Sequence, residues 1–327
     1  MVALPKVSVV VPVYNAGEKL VLSIESLLSQ SLEDIEIVIV NDASTDDSAA
    51  VIDRLSCNNA KVVGVHLSQN KGVHEARLEG LRKSTAPWIG FLDADDYAHQ
   101  SMFELMLAAG EKENVDIVLC GSMMVDGNGK KIRPKVSYRK NERVDNEVFE
   151  RFVNFEFGSG VLWNKLYRRS VVLPSVDIGF PWRQNYNEDV LLNIGCFWRA
   201  KTVFLMKDVL HKYVQWGSSA TATIPMAAMY VETFKAFACA VKSYHNEDSE
   251  LLLGITELYR NQLSWSCYLV EGLDVLGSYH ETLQKAAGLV CSYNPELLAL
   301  LAARKNKKYN ISALLRMILG KIWNLIK

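Results

Sequence analysis

The chain lacks most of what marks a secreted, membrane-spanning or polyanion-binding protein. Its six cysteines, Cys57, Cys120, Cys196, Cys239, Cys267 and Cys291, form no Cys-x-x-Cys pair, and no histidines gather near them at zinc spacing. That excludes a zinc ribbon and reads as buried, reduced thiols. No apolar run reaches about 18 residues, so no membrane-spanning helix is expected. The opening MVALPKVSVVVPVYN is short, is interrupted by Pro12 and has no small-residue cleavage site. It reads as a strand rather than a signal peptide. A formal net charge of −1 over 327 residues argues against a nucleic-acid partner. Acidic residues are missing from one region only. After Glu296 there are none, while Arg304, Lys305, Lys307, Lys308, Arg316, Lys321 and Lys327 follow.

What is present is ordinary globular material: 49% hydrophobic and 22% charged residues, enough for a sizeable core in one large domain or two modest ones. Val7 to Val13 is a β-branched run, suited to a strand buried on both faces. Leu20, Ile24, Leu27 and Leu28 fall at helical spacing within 18–30. IEIVIVND at 35–42, KVVGVHL and PWIGFLD read as further strands, and KGVHEARLEGLRKS as a helix. Ser44 or Thr45 can cap the helix after the second strand. This alternation with short connections predicts an α/β layer fold with a mainly parallel sheet, whose ligands bind beyond the carboxyl ends of the strands. Tyr14-Asn15, Asn41-Asp42 and Asp93 to Asp96 fall at those ends. From about residue 225 the pattern turns helical, over 226–245, 249–271 and 277–292. A boundary is therefore placed near residue 222, giving domains 1–222 and 223–327.

Asp93 and Asp95 stand two apart just past a strand end. A tight turn lets both approach one point, and such a density of carboxylates is costly unless a cation or a proton neutralises it. Mg2+ or Mn2+ suits oxygen ligands completed by substrate phosphates. Read more plainly, Asp96 caps the helix at 100–109, and Asp42 ends its strand in an Asx turn or accepts from a base N–H. Glu188 and Asp189 in YNEDVLLN either favour a helix N-terminus or include a general base.

VSVVVPVYNAGEKL, VNDASTDDS, NKGVHEARLEGL, WIGFLDADD, WNKLYRRS and NEDVLLN occur in that order. Together, over about residues 5 to 221, they resemble the bacterial family 2 glycosyltransferases of the GT-A fold. The resemblance implies transfer of a sugar with inversion from a nucleotide-sugar, usually UDP-linked, to an acceptor hydroxyl. It implies a nucleoside pocket at Pro12, Tyr14, Asn15 and Asp42, and donor contacts at Asn70, Gly72, Arg77 and Ala94. It implies a metal motif at Asp93 and Asp95, with Asp95 the direct ligand, and a catalytic base at Asp189 with Glu188 beside it. Trp163 and Lys165 are candidates for sugar stacking and for donor phosphate or acceptor, against a core tryptophan and a solvated lysine. His211 is a candidate metal ligand, against a plain structural histidine. Two departures stand out. Leu78 replaces a family asparagine, and Tyr213-Val214 replaces Tyr-Arg, so a phosphate contact falls to His211, Lys212, Ser218 or Ser219.

ISALLRMILGKIWNLIK, at the end, is amphipathic and carries only positive charge. It suits the headgroup layer of a membrane, or docking on the protein itself or on a second subunit in a homodimer. The expected setting is cytoplasmic, with peripheral contact at the inner face of the membrane, and the expected acceptor is a surface polysaccharide or lipid-linked glycan. A sugar-1-phosphate nucleotidyltransferase shares the sheet and the metal chemistry, but YNAGEKL has neither its glycine-rich loop nor its clustered arginines. A non-catalytic nucleotide-binding scaffold would not need both acidic pairs.

Overall fold

The computed structural model describes residues 4–158, 160–216, 224–264 and 277–302. The chain forms two compact units, and neither is a continuous segment. The first takes residues 1–148, 157–179 and 192–217; the second takes 149–156, 180–191 and 218–327. The sequence reading placed one boundary near 222. The second unit's main segment does begin close to it, but two short segments from the first 200 residues join the helical unit as well. The terminal amphipathic segment, Ser218, Ser219, Cys267 and the end of the helix expected over 249–271 lie outside the described residues.

The first unit opens with β1 (Val7–Val13), α1 (Glu18–Leu28), β2 (Ile35–Asn41), α2 (Ser48–Asn58), β3 (Val62–His66), α3 (Val73–Lys83) and β4 (Trp88–Phe91). It continues with β5 (Tyr97–Ala98), α4 (Met102–Lys112), β6 (Ile117–Asp126), β7 (Lys131–Val136) and β8 (Glu142–Val144). Next come α5 (Val148–Val153), most of which belongs to the second unit, then β9 (Lys165–Arg168) and α6 (Arg169–Val172). Last are α7 (Glu188–Arg199), which begins in the second unit, and β10 (Val203–Gln215). The sheet runs β3-β2-β1-β4-β9-β6-β10-β5, with β7 on β6 and β8 on β10. β1 to β4 are all parallel, as their alternation with helices predicts. Beyond β4 the pairings are mostly antiparallel, because β9 returns in the opposite sense between β4 and β6. The sheet is therefore mixed rather than mainly parallel.

Every residue of β1 is buried, so Val follows Val with no polar alternation. Pro12 is tolerated in this central strand for a local reason. Val10 O accepts from Leu92 N on the β4 side, and β4 ends at Phe91, opposite Val10. Two residues on, Pro12 faces the same side where no partner strand remains, so its missing N–H leaves no ladder bond unmade. Three of the described cysteines, Cys120, Cys196 and Cys239, are buried as expected, but Cys57 is exposed on the last turn of α2 and Cys291 is partly so.

Helix α3 lies close on β1 because Gly80 has no side chain; a Cβ there would run into the Val10 side chain. Gly80→Ala is expected to destabilise the protein by about 1–3 kcal/mol through overpacking. Urea unfolding should show the midpoint falling with the slope unchanged.

The second unit is built on α8 (Met226–Tyr244), α9 (Ser249–Leu263), α10 (His280–Tyr293) and α11 (Glu296–Ala302). Asp248 caps α9 by accepting from Glu250 N at 2.9 Å. Phe234, Phe237 and Tyr259 pack in its core, with Phe237 and Tyr259 rings 5.7 Å apart. Among the described residues no helix is long and apolar enough to cross a membrane.

Candidate active site

A pocket opens at the carboxyl ends of β1 and β2, lined by Pro12, Val13, Tyr14, Asp42, Val73 and Ala76. The nucleoside-pocket residues Pro12, Tyr14 and Asp42 thus come together. Tyr14 is half-exposed and offers a ring to a ligand. Asp42 is buried, and its two carboxylate oxygens accept from Lys71 N at 2.7 Å and Gly72 N at 2.8 Å. It therefore holds the start of α3, where Gly72 has φ 92, a conformation that glycine adopts without strain. Asn15 acts as a brace rather than as an open contact. Its side chain accepts from Thr45 N at 2.8 Å, and its backbone N donates to Ser44 Oγ at 3.0 Å, so the loops after β1 and β2 are tied together. Ser44 and Thr45 are spent on these contacts, and the residue preceding α2 is Asp47. Asn70 Oδ1 is buried with no hydrogen-bond partner among the described residues, an acceptor left over beside this loop.

Helix α3 links the pocket to the acidic turn. Val73 and Ala76 face the pocket, and the next residue, the buried Arg77, pairs its Nη2 with Asp93 Oδ1 at 2.9 Å. The turn after β4 closes with Asp96 N donating to Asp93 O at 3.1 Å, and Ser23 Oγ donates to the same carbonyl at 3.2 Å. Trp216 Nε1 donates to Asp95 O at 3.1 Å, and Val214 N to Asp96 Oδ1 at 2.8 Å. The three acids thus have three different fates. Asp93 is neutralised by Arg77. Asp96 is fully buried, and burial, then the charges of Asp93 and Asp95, push its pKa well above the usual carboxylate range. Asp95 is partly buried and makes no hydrogen bond or ion pair to another described side chain. Burial, then Asp93, push it up to about 6, against the pull of Lys19. Ala94, between them, is buried.

Three candidates lie in the core rather than on an open face. His211 has no exposed surface. Its Nδ1 is 3.0 Å from Ser122 Oγ, its Nε2 is 3.4 Å from Asp96 Oδ2, and burial pushes its pKa down to about 3. It stands against Asp96, not Asp95, so the structure favours the structural histidine over the metal ligand. Trp163 lies flat on His211, centroids 4.2 Å apart and planes at 12°, so that face of the indole is taken. Lys165, on β9, is 1% exposed, and its Nζ donates to Val161 O and to Asn164 Oδ1. This corrects both sequence readings of Lys165, since it is neither solvated nor presented to an open surface. Leu78, at the family's asparagine position, is a core residue.

Glu188 and Asp189 occupy the first turn of α7, in the second unit, where carboxylates suit the helix dipole. Asn187, just before them, has φ 67, and its Nδ2 donates to Thr233 Oγ1 at 3.4 Å and to Gln262 Oε1. The start of the helix is thus held by α8 and α9.

Two members of the first unit's site were missed from sequence. Lys19 Nζ sits 4.6 Å from the centre of the Trp216 ring and its charge acts on Asp95, and Trp216 holds the Asp95 carbonyl. A lone lysine on α1 and a tryptophan more than a hundred residues from the acidic turn carry no local signal.

With this geometry in view, comparison with known proteins adds the following. The family model for Glycosyl transferase family 2 matches residues 8–173. A glycosyltransferase of Bacillus subtilis (strain 168), EpsJ, is 27% identical over 245 residues, 74% of this chain and 71% of that protein. TarP of Staphylococcus aureus (strain N315), named a poly(ribitol-phosphate) beta-N-acetylglucosaminyltransferase, is 29% identical over 62% of this chain and 61% of its own length. The chain spans less of other relatives, 60% of EpsH of Bacillus subtilis and 34% of YibD of Escherichia coli. Among solved structures, S. aureus TarS 1–349 in complex with UDP-GlcNAc superposes with a TM-score of 0.70 at 17% identity, covering 98% of this chain and 90% of that one. The Pyrobaculum calidifontis mannosyltransferase PcManGT, in complex with GDP-Man and Mn2+, gives 0.55 at 16% identity, covering 99% and 83%. At these identities the likeness shows the GT-A fold.

Proposed function

The chain belongs to glycosyl transferase family 2, and on that premise we propose that it moves a sugar, with inversion, from a nucleotide-sugar to an acceptor hydroxyl. The observation that carries this reading is the Asp95 carboxylate, which is partly buried, repelled by Asp93 and makes no hydrogen bond or ion pair to another described side chain. Such a group is stable only beside a cation or a proton. Among the described residues no group of three or more His, Cys, Asp or Glu gathers to hold a metal alone. One or two carboxylates completed by phosphate oxygens is how Mg2+ and Mn2+ are usually held at nucleotide sites, so the residues fit. Asp95, with Asp93 beside it, would hold the ion, which when bound offsets negative charge gathering on the diphosphate.

The chain's own residues supply the rest. The nucleoside enters between Tyr14 and the start of α3, and the donors and acceptors around Asp42 and Asn70 meet the base. Lys19 supplies a positive charge near the diphosphate, where the family's arginine is absent. Asp189 takes the acceptor proton, with Glu188 as its neighbour. Inversion needs one displacement and no covalent sugar–enzyme intermediate. UDP is favoured as the nucleotide, because TarS was solved with UDP-GlcNAc and TarP is named for transfer of N-acetylglucosamine. The acceptor is read as a glycan or lipid-linked glycan at the cytoplasmic face of the membrane.

A panel of nucleotide-sugars with Mn2+ or Mg2+ tests this. Slow release of UDP from one UDP-sugar, with water as acceptor, is the expected result. Release of pyrophosphate would identify a nucleotidyltransferase instead, and UDP binding without any release would point to a nucleotide-binding scaffold.

A further inference from the structure

Between Asp126 and Glu142 the chain carries six cations, Lys130, Lys131, Arg133, Lys135, Arg139 and Lys140, and no acid. This segment is β7 with the turns on either side of it. β7 pairs with β6 alone among the described strands, and residues 128 to 135 are all exposed. Among the described residues only Lys140 reaches a carboxylate, Glu142 at 3.8 Å. Lys130, Lys131, Arg133, Lys135 and Arg139 lie within ion-pair distance of none. Surface cations are commonly offset by nearby acids, and a run of uncompensated charge creates a local positive field in a chain whose net charge is only −1. Two irregularities, between Ser122 and Met123 and between Met124 and Val125, interrupt the β6–β7 register.

The ribbon does not stand apart from the acidic turn. Lys135 Nζ lies 4.7 Å from the Tyr213 ring, and Tyr213 lies 6.1 Å from Trp163. Val136, at the end of β7, pairs with Ser122 on β6, and Ser122 Oγ lies 3.0 Å from His211 Nδ1, whose Nε2 lies 3.4 Å from Asp96 Oδ2. One end of the cationic strand thus meets the acidic turn, and the other runs outward through Arg133 and Lys131.

We propose that this ribbon is the docking track for the acceptor, a linear glycan carrying repeated negative charge as phosphodiester or carboxylate. The proposal rests on the glycosyltransferase reading and extends it to the class of acceptor. A narrow strand leading into the site fits a single chain fed lengthwise. Nucleic acid fits poorly, because the ribbon's one aromatic, Tyr138, is partly buried with its hydroxyl donating to Phe157 O at 2.8 Å, which leaves no platform for base stacking.

The test compares the full chain with K131E/R133E/R139E, three exposed positions outside the pocket and the acidic turn. Binding to polygalacturonate, poly(glycerol phosphate) and neutral dextran is measured without donor. UDP-sugar hydrolysis, thermal unfolding and flotation with phosphatidylglycerol vesicles are measured in parallel. The wild type should bind both polyanions but not dextran, and lose affinity as salt rises from about 50 to about 200 mM. The charge-reversed chain should bind the polyanions at least about tenfold more weakly, with K131Q/R133Q/R139Q between the two. Donor hydrolysis, melting and flotation should match the wild type. Polyanion binding that is absent in the wild type, or equal in all three proteins, overturns the proposal. So does a loss of flotation as large as the loss of polyanion binding, which would make the ribbon a lipid contact. Failure to hydrolyse any nucleotide-sugar would count against the glycosyltransferase reading alone, because polyanion binding needs no donor.

Discussion

Replacing Asp189 by asparagine is expected to lower kcat by about 10²- to 10⁴-fold while leaving the Kd for UDP close to that of the wild type. The reasoning starts from the reaction. An acceptor hydroxyl is a weak nucleophile at neutral pH, and the proton it sheds must go to a base at hand as the new bond forms. Asparagine keeps the shape of the side chain but has no lone-pair anion to receive that proton. Asp189 is not among the residues lining the pocket at the ends of β1 and β2, so the substitution should leave nucleotide binding intact. Calorimetry with UDP and Mn2+, beside a transfer assay, separates the two effects. An equal loss of UDP affinity would show Asp189 to be structural or part of the nucleotide site. Retained transfer would move the base to Glu188.

Replacing Asp95 by asparagine is expected to act in two opposite directions. Cation-dependent binding of UDP should fall by about tenfold to a hundredfold, the loss of one well-placed charged contact. The protein without ligand should become more stable at pH 8, by about 1–2 kcal/mol. The sign follows from the environment. Burial and Asp93 hold the Asp95 carboxyl up at about 6, above its ordinary value of 3.8. Folding therefore disfavours the charged form, so the contribution to stability is fully present below about pH 4 and is lost as pH rises through about 6. Asparagine carries no charge and escapes that loss. In the wild type the same carboxyl must ionise before it can hold a cation, so Mn2+-dependent UDP affinity should climb between pH 5 and 7 and then level off. Thermal melts at pH 5 and pH 8, with and without Mn2+ and UDP, would read all of this. Coincident wild-type and variant curves would remove Asp95 from the site.

Much of the first hundred residues was legible because the signals there are local. A Val-rich run, a glycine at a helix start and a strand ending in acids each depend on neighbours a few positions away. The alternation of strands and helices then forces parallel strands with polar residues gathered at one edge. The resemblance added roles to those residues, and Pro12, Tyr14 and Asp42 line one pocket. What was misread depends on contacts made across long separations. Lys165 looks solvated in sequence, yet it starts β9, the strand returning between β4 and β6, and is buried, while Trp163 before β9 and His211 on β10 take the core reading that the sequence left open for each. Asn15, expected at the nucleoside, is used to tie two loops together.

Six motifs in order carried the resemblance to the family, and the order of apolar runs, glycines and strand-end carboxylates by itself determined the α/β class and the edge of the sheet where polar residues gather. Those properties follow from period, backbone freedom and charge density, which are written locally. Only the tertiary structure decided what each acid of the turn can do. Asp93 is tied to an arginine sixteen residues earlier, and Asp96 is buried against a histidine on β10, more than a hundred residues later. Of the three, Asp95 keeps a carboxylate with no hydrogen bond or ion pair to another described side chain. Their chemical identity is the same, and it is the dielectric and the neighbours, set by packing at a distance, that assign them different work.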